Sequence, residues 1–488
     1  MYHISDLKKY SRCPRLFQLD RTAEKAPFQK FIRLDEAVTD LAKEKLGIKE
    51  CFLGARNDPP ELALEALKTE EWLVKARFEY RQLRVKVPFL HRNGDGWDLY
   101  FLFVGLYPHA DDRAFYCDTV YALQGIGLNL KDIRIIHLNA DYVRKGELDT
   151  GSLFKVSDCF YTANNNPSQN VKDMITNSMS DISQIMDEMD RLDHDHPEAP
   201  VRTSKCTGRQ KCRFYDSCFE EEAALPHNSI LTLTGARYKY RMQSEGREFL
   251  ADADPELIEG SPQQYAEIMA DRKNGLFIDR MAVKTWLRSV SYPVTFLDFE
   301  WERYAIPPYD GMKPYDVLPF EYSVHVLHEN GDVSHNVFLS VHDDRQELIE
   351  SMLKDIPGQG TVMAYNAEGA EMIRISEMAE QFPQYARQLL DINSRMKDMQ
   401  VPFVSGMVYD TRMAGVWSLK KIMSMMNDRS YKDLDINQGM DAVYNWRMLD
   451  REESDTDSGQ IISQLKEYCG MDTYALMVVY KWLKEIAE

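Results

Sequence analysis

The sequence predicts a mixed α/β protein with more than one domain, and three observations carry that expectation. The chain has 488 residues, more than a single hydrophobic core usually organises. Its apolar residues switch repeatedly between the two-residue period of strands and the longer period of helices. Its composition, 44% hydrophobic and 28% charged, is that of a soluble globular chain. No apolar run approaches the length that a bilayer demands, so no membrane partner is expected. The opening residues Met1-Tyr2-His3-Ile4-Ser5-Asp6 carry no signal-peptide pattern, which makes the cytoplasm the expected compartment. The eight cysteines are not expected to form a disulfide framework in such a chain.

Three regions follow from the patterning. In residues 1–224 a helical start precedes strand-like runs at Arg84-Val85-Lys86-Val87, Leu99–Val104 and Ile133–Leu138, with a helix around Ala114–Gln124. A polar stretch, Thr162–Asn170, leads into one long helix expected near Val171–Leu192. Residues 225–290 read as a small helical connector with no candidate chemistry. Residues 291–488 read as strands at Val294–Leu297, Glu321–Leu327, Val337–Val341 and Thr361–Tyr365. Helices there are expected at Arg345–Asp355, Glu371–Gln381, Leu419–Asn427 and Ile461–Lys484.

The net charge is -19, and roughly -15 of it falls from Ser291 onward. So acidic a C-terminal half does not bind phosphates by charge alone. It remains compatible with nucleic-acid chemistry, because bound cations supply positive charge locally.

Candidate chemistry centres on that half. Asp298-Phe299-Glu300 ends an apolar run, Pro293–Leu297, and an Asp-x-Glu on a strand presents both carboxylates on one face. Tyr468 and Asp472 lie one helical turn apart and share a face. Oxygen ligands of this kind suit hard cations such as Mg²⁺ or Mn²⁺, and two such ions are a common means of hydrolysing a phosphodiester. Between these elements, a strand ends in Tyr365-Asn366 and is followed by Glu368 and Glu371, either of which could supply a further ligand.

The order Asp-x-Glu, then Asn with a following acid, then Tyr-x-x-x-Asp resembles the DEDD exonucleases of the DnaQ type, in the tyrosine subclass. The resemblance covers about Tyr292–Ile486. It implies an RNase H-like fold, two divalent metal ions and 3′–5′ exonuclease activity on DNA or RNA. Asp298, Glu300, Glu371 and Asp472 then hold the metals, and Tyr468 orients the attacking water. Asp398-Met399 and Ser418-Leu419 match secondary positions. The stretches Ala305-Ile306-Pro307, Leu318–Ser323 and Ser418–Lys421 resemble an uncharacterised bacterial branch of these enzymes, usually fused behind a RecB-like nuclease domain. In the family an Asp with an aromatic before it usually stands four residues after the Asn, and in the branch that acid is Glu. Here position 370 is Ala, so Glu371 comes one residue late and Glu368 is its rival. Glu371 is favoured because Arg374-Ile375 follows at the branch's spacing. Glycine at 369 is expected to permit the extra turn.

Cys206, Cys212 and Cys218 form a C-x5-C-x5-C pattern, and Cys13 stands far upstream. Four thiolates suffice for a [4Fe–4S] cluster or a Zn²⁺ site. One early and three late cysteines resemble the iron–sulfur RecB-like nucleases, where the cluster staples the two ends of a PD-(D/E)XK domain. Cys51, Cys117, Cys159 and Cys469 are expected to be buried apolar fillers. The nuclease motif itself looks broken. Tyr100-Phe101-Leu102 stands where Glu-x-Lys belongs, Asp118 and Gln124 survive on the helix, and Asp95 and Asp98 are poor substitutes. A degenerate first domain kept for binding or scaffolding is therefore expected. The competing expectation for the whole chain is a non-catalytic nucleic-acid-binding or assembly module.

Overall fold

Period-two patterning builds the first sheet. In the strand Leu83–Asn93, the side chains of Leu83, Val85, Val87 and Phe89 are buried while Lys86 faces out. The computed structural model describes all residues except 24–33, 208–210, 221–224, 427–430, 432–433, 437 and 451–457. It divides into two units, Met1–Ala223 with Ala305–Tyr315, and Ala224–Tyr304 with Asp316–Glu488. Both are mixed α/β. No helix among the described residues is long and apolar enough to cross a membrane.

The first unit contains β1 (Tyr2–His3), β2 (Phe52–Leu53), β3 (Trp72–Tyr80), β4 (Leu83–Asn93), β5 (Gly96–Phe103), β6 (Leu130–Leu138) and β7 (Phe154–Ser157). They form one sheet in the order β2-β3-β4-β5-β6-β7, with β1 parallel to β4. The helix Arg113–Gly125 packs on β3 and β4, and the core under it holds Phe78, Leu99, Phe101, Tyr116 and Leu123. The segment Ala305–Tyr315 belongs to this unit. Arg144 Nη1 donates to the carbonyls of Pro307 and Pro308, and the Tyr315 hydroxyl donates to that of Val104.

Two expectations here need correction. The single helix over Val171–Leu192 is two helices, Val171–Ser178 and Ser183–Asp190. The first helix ends at Met179, which turns to extended backbone (φ -62, ψ 139), and the Asp181 side chain accepts the amide of Ser183 at 2.9 Å in the turn before the second. The polar stretch before it is not all loop. Its end forms β9 (Pro167–Asn170), antiparallel to β8 (Cys159–Tyr161).

In the second unit, residues 225–290 hold the helices Lys239–Ser244, Pro262–Arg272 and Arg280–Arg288. The middle one starts on Pro262 behind a capping box of Ser261 and Gln264. They also hold β10 (Leu276–Ile278), which pairs with β16 (Val408–Asp410). Three residues carry too little pattern to announce such a strand, and only its distant partner makes it one.

The main sheet of this unit comprises β11 (Val294–Arg303), β12 (Val317–Leu327), β13 (Val333–Leu339), β14 (Thr361–Ala364) and β15 (Met396–Asp398). Its order is β13-β12-β11-β14-β15. β12 runs antiparallel to its neighbours, while β14 and β15 continue parallel to β11. All of β12 is buried, because both faces of the sheet are covered. One face carries Leu297, Phe299, Tyr322 and Val324 into a core with Leu348, Met352, Ile375 and Met378. The other carries Phe296, Asp298 and Glu300, and it meets the 30-residue helix Ser458–Ala487. Phe296 packs against Tyr480 on that helix, and Ser323, on the same face, bonds Thr473 at 2.8 Å.

The helix Gly439–Asp450 is anchored by Trp446, which is fully buried. Its ring stacks on Phe320 at 4.7 Å and its Nε1 donates to the Ser340 carbonyl at 2.7 Å. Trp446→Ala is expected to destabilise this unit by about 3–5 kcal/mol, as large core truncations do. A denaturant midpoint unchanged from wild type would contradict the anchoring role.

Candidate metal centre

Strand alternation places Asp298 and Glu300 on the face toward the C-terminal helix and sends Phe299 into the opposite core. The ladder with β12 shifts register just after Glu300. From the helix come Tyr468 and Asp472, four residues apart and both buried. One carboxylate oxygen from each of Asp298, Glu300 and Asp472 lies within 4.8 Å of the other two. Cys469 is also in place, its Sγ 3.6 Å from Asp298 Oδ2.

The loop after β14 sets the second-motif acids. Asn366 takes a left-handed conformation at φ 58, and its amide is accepted by Asp398 Oδ1 at 2.9 Å. The amides of Gly369 and Ala370 return to the Asn366 carbonyl. Gly369 has no left-handed φ, and a Cβ there would come within 2.7 Å of the Asn366 side-chain oxygen, which would have to move aside. The turn leaves Glu368 exposed and delivers Glu371, at the start of the helix Glu371–Gln381, into burial. Glu371 Oε2 has no hydrogen-bond partner among the described residues. It lies outside the group of Asp298, Glu300 and Asp472 whose oxygens converge within 4.8 Å, although its charge is felt at both Asp298 and Glu300.

Crowding of like charges away from water dominates the electrostatics. Burial, then the charges of Asp472, Glu300 and Glu371, holds the Asp298 carboxyl well above the usual range. Glu300 is raised in the same way by burial, Asp472 and Glu321. Burial and Asp398 push Glu371 up to about 8. Burial pushes Asp472 up to about 6, against the opposing pull of the Tyr431 hydrogen bond and of Lys420. Such a set is strained without a cation, and its all-oxygen donors fit Mg²⁺ or Mn²⁺.

Three residues join this site that sequence reasoning did not assign to it. Lys420 Nζ donates to the Tyr468 hydroxyl at 2.8 Å and lies over that ring and the ring of Tyr431. It sits on the short helix Leu419–Met423, which Ser418 caps, so the basic pair at 420–421 was the signal. The Tyr431 hydroxyl donates to Asp472 Oδ1 at 2.6 Å; nothing in its local sequence marks it. Cys469 was expected to be only an apolar filler, and it is buried as expected. Its place one residue after Tyr468 could have flagged it.

In the first unit, Cys13, Cys206, Cys212 and Cys218 line one cavity, together with Arg12, Arg15 and Lys205. Arg15 Nε donates to Cys218 Sγ at 3.3 Å, and the Cys212 amide donates to the Cys206 carbonyl at 2.8 Å. All four thiols are half-buried. Cys117 is buried as expected, but Cys51, beside the edge strand β2, and Cys159, at the start of the two-stranded β8/β9 pair, are only half-buried. Asp118 is buried and pushed up to about 6 by burial. It faces a large cavity shared with Lys8, Asp112 and Arg113, while Gln124 is exposed. Tyr100 packs near Trp72. Asp98 accepts from Asn93 at 3.1 Å, and Asp95 pairs with Lys131 at 2.7 Å.

Residues 295–418 match a family model described as a domain of unknown function, DUF2779. Among solved structures, the chain is similar to the family B DNA polymerase of the hyperthermophilic archaeon Pyrobaculum calidifontis, with a TM-score of 0.25 and 13% identity. That match covers 38% of this chain and 24% of the polymerase chain, so the chain spans about a quarter of that relative's length. No curated protein matches the sequence.

The raised carboxyls make apo stability depend on pH with a defined sign. Asp472 and Glu371 keep their protons in the folded chain up to about 6 and about 8, above the ordinary values of 3.8 and 4.5. The folded state therefore binds more protons than the unfolded one across that window, and stability falls as pH rises through it. In chelator, the melting temperature of the second unit is expected to drop between about pH 5 and about pH 8. Glu371→Gln is expected to flatten the upper part of that slope, and Mn²⁺ to oppose it. An identical slope in wild type and Glu371→Gln would contradict the assignment.

Proposed function

We propose that the chain is a divalent-metal-dependent nuclease, a 3′–5′ exonuclease that hydrolyses phosphodiester bonds of DNA or RNA. The observation that carries this reading is the convergence of Asp298, Glu300 and Asp472 within 4.8 Å, with Glu371 buried beside them and Tyr468 held by Lys420. The sheet order, three antiparallel strands continued by two parallel ones, supports an RNase H-like fold.

In this reading Asp298, Glu300, Glu371 and Asp472 hold the cations. When bound, these supply Lewis acidity, lower the pKa of water and stabilise the leaving oxyanion. The protein's own share is positioning. Burial keeps the Tyr468 phenol protonated far above neutrality, so its hydroxyl can orient a water by hydrogen bonding without losing its own proton. Lys420 fixes that hydroxyl and lowers the cost of gathering the acids. The sheet and the long helix exclude bulk water from the buried side.

The four-cysteine cavity is read as the site of a [4Fe–4S] cluster, with Zn²⁺ as the alternative occupant. The shared cavity lining supports this reading. Four thiols line one space, and Arg12, Arg15 and Lys205 line it with them. The unit that carries the cavity would grip or position the nucleic acid rather than cut it. Its candidate acids Asp95 and Asp98 already have protein partners.

Asp298→Asn is expected to abolish Mn²⁺-dependent release of nucleotides from an end-labelled oligonucleotide, a loss of at least about 10³-fold if a ligand to the metals is removed. Asp118→Asn is expected to leave turnover intact. Full activity in Asp298→Asn would sink the proposal, and binding without cleavage in the wild type would favour a non-catalytic binding module.

Anaerobically purified protein is expected to be brown, and Cys212→Ser to bleach it and to destabilise the first unit. Colourless protein with stoichiometric zinc would reject iron while keeping the site.

A further inference from the structure

Glu321 on β12 lies directly across from Glu300 on β11, and opposed residues of an antiparallel pair project to the same face. That face also carries Asp298, and Ser323 on it bonds Thr473 of the C-terminal helix. Glu321 is therefore enclosed between the sheet and the helix that brings Asp472. It is completely buried, and neither carboxylate oxygen has a hydrogen-bond partner among the described residues. Buried carboxylates are almost always satisfied. This one lies outside the group whose oxygens converge within 4.8 Å, yet its charge is felt at Glu300, and Glu321 itself feels Lys466 and, less strongly, Asp472.

We propose that Glu321 is an outer carboxylate of the metal centre, accepting hydrogen bonds from the hydration shell of a divalent cation held by Asp298, Glu300 and Asp472. The inference rests on the metal-dependent reading above and adds to it a fifth acid. Mg²⁺ sheds its waters reluctantly and keeps several when protein-bound. Those waters are donors, and Glu321 offers only acceptors. Their match explains an otherwise orphaned pair of oxygens. Position outside the convergent group suits contact through water rather than direct ligation, the arrangement by which outer groups orient a metal and tune its affinity.

Mn²⁺ titrated into the full chain, with the free ion read by electron paramagnetic resonance, tests this without requiring activity. Glu321→Met, similar in length and without oxygens, is expected to weaken Mn²⁺ binding by about 10–100-fold. Glu321→Gln, which keeps one acceptor, is expected to fall between Met and wild type. Wild-type affinity in Glu321→Met overturns the proposal and marks Glu321 as a protonated structural acid. If Glu321→Met does not melt cooperatively in chelator, Glu321→Gln decides alone, and unchanged affinity overturns the proposal. Asp298→Asn separates the two readings. If it loses Mn²⁺ while the Glu321 variants keep it, the outer-carboxylate inference fails and the metal centre stands. If Asp298→Asn also binds like wild type, both fail.

Discussion

The second unit is organised around an unfavourable arrangement, acidic side chains gathered away from water between a sheet and one long helix. Taking a carboxylate out of water without a partner costs several kcal/mol, about the net stability of a small domain. The rest of the architecture offsets that cost. β11 alternates cleanly, so the strand that presents Asp298 and Glu300 to the helix drives Leu297 and Phe299 into the apolar core on the other side. The helix Ser458–Ala487 is pinned along its length by the Phe296–Tyr480 and Ser323–Thr473 contacts. Asp472 cannot turn away from the other acids without unpacking it.

Around the acids, positive charge and hydroxyls are placed where they relieve repulsion without neutralising it. Lys420 sits on the Tyr468 hydroxyl and over two rings, and Tyr431 donates to Asp472. The orphaned oxygens of Glu371 and Glu321 remain. A group of this kind could hold a cation, the cost of assembling its ligands being met by the fold.

The first unit shows the contrast. Asp98 has Asn93 and Asp95 has Lys131, so the acids nearest the expected nuclease motif are satisfied as ordinary structural groups are. The candidate cofactor chemistry there is the four-thiol cavity, which Arg15 and Lys205 also line. Local rules tend to be broken where a site is kept, and they are broken in different places in the two units.

Most of the strands and helices of residues 291–488 were legible in the sequence, since buried strands and long amphipathic helices write their periods plainly. The same-face geometry of Asp298 with Glu300, and of Tyr468 with Asp472, followed from those periods alone. The break after Ser178 and the strand Leu276–Ile278 were not legible, because the one is a local turn of the backbone and the other depends on a partner far along the chain. The choice between Glu368 and Glu371 needed the Asn366 turn, whose left-handed backbone no period encodes. Glu321, Lys420 and Tyr431 reached the site only through pairing register and tertiary packing. Sequence determines which face a residue takes within its own element. Only the packing of elements decides which faces meet, and the candidate metal centre lies where they meet.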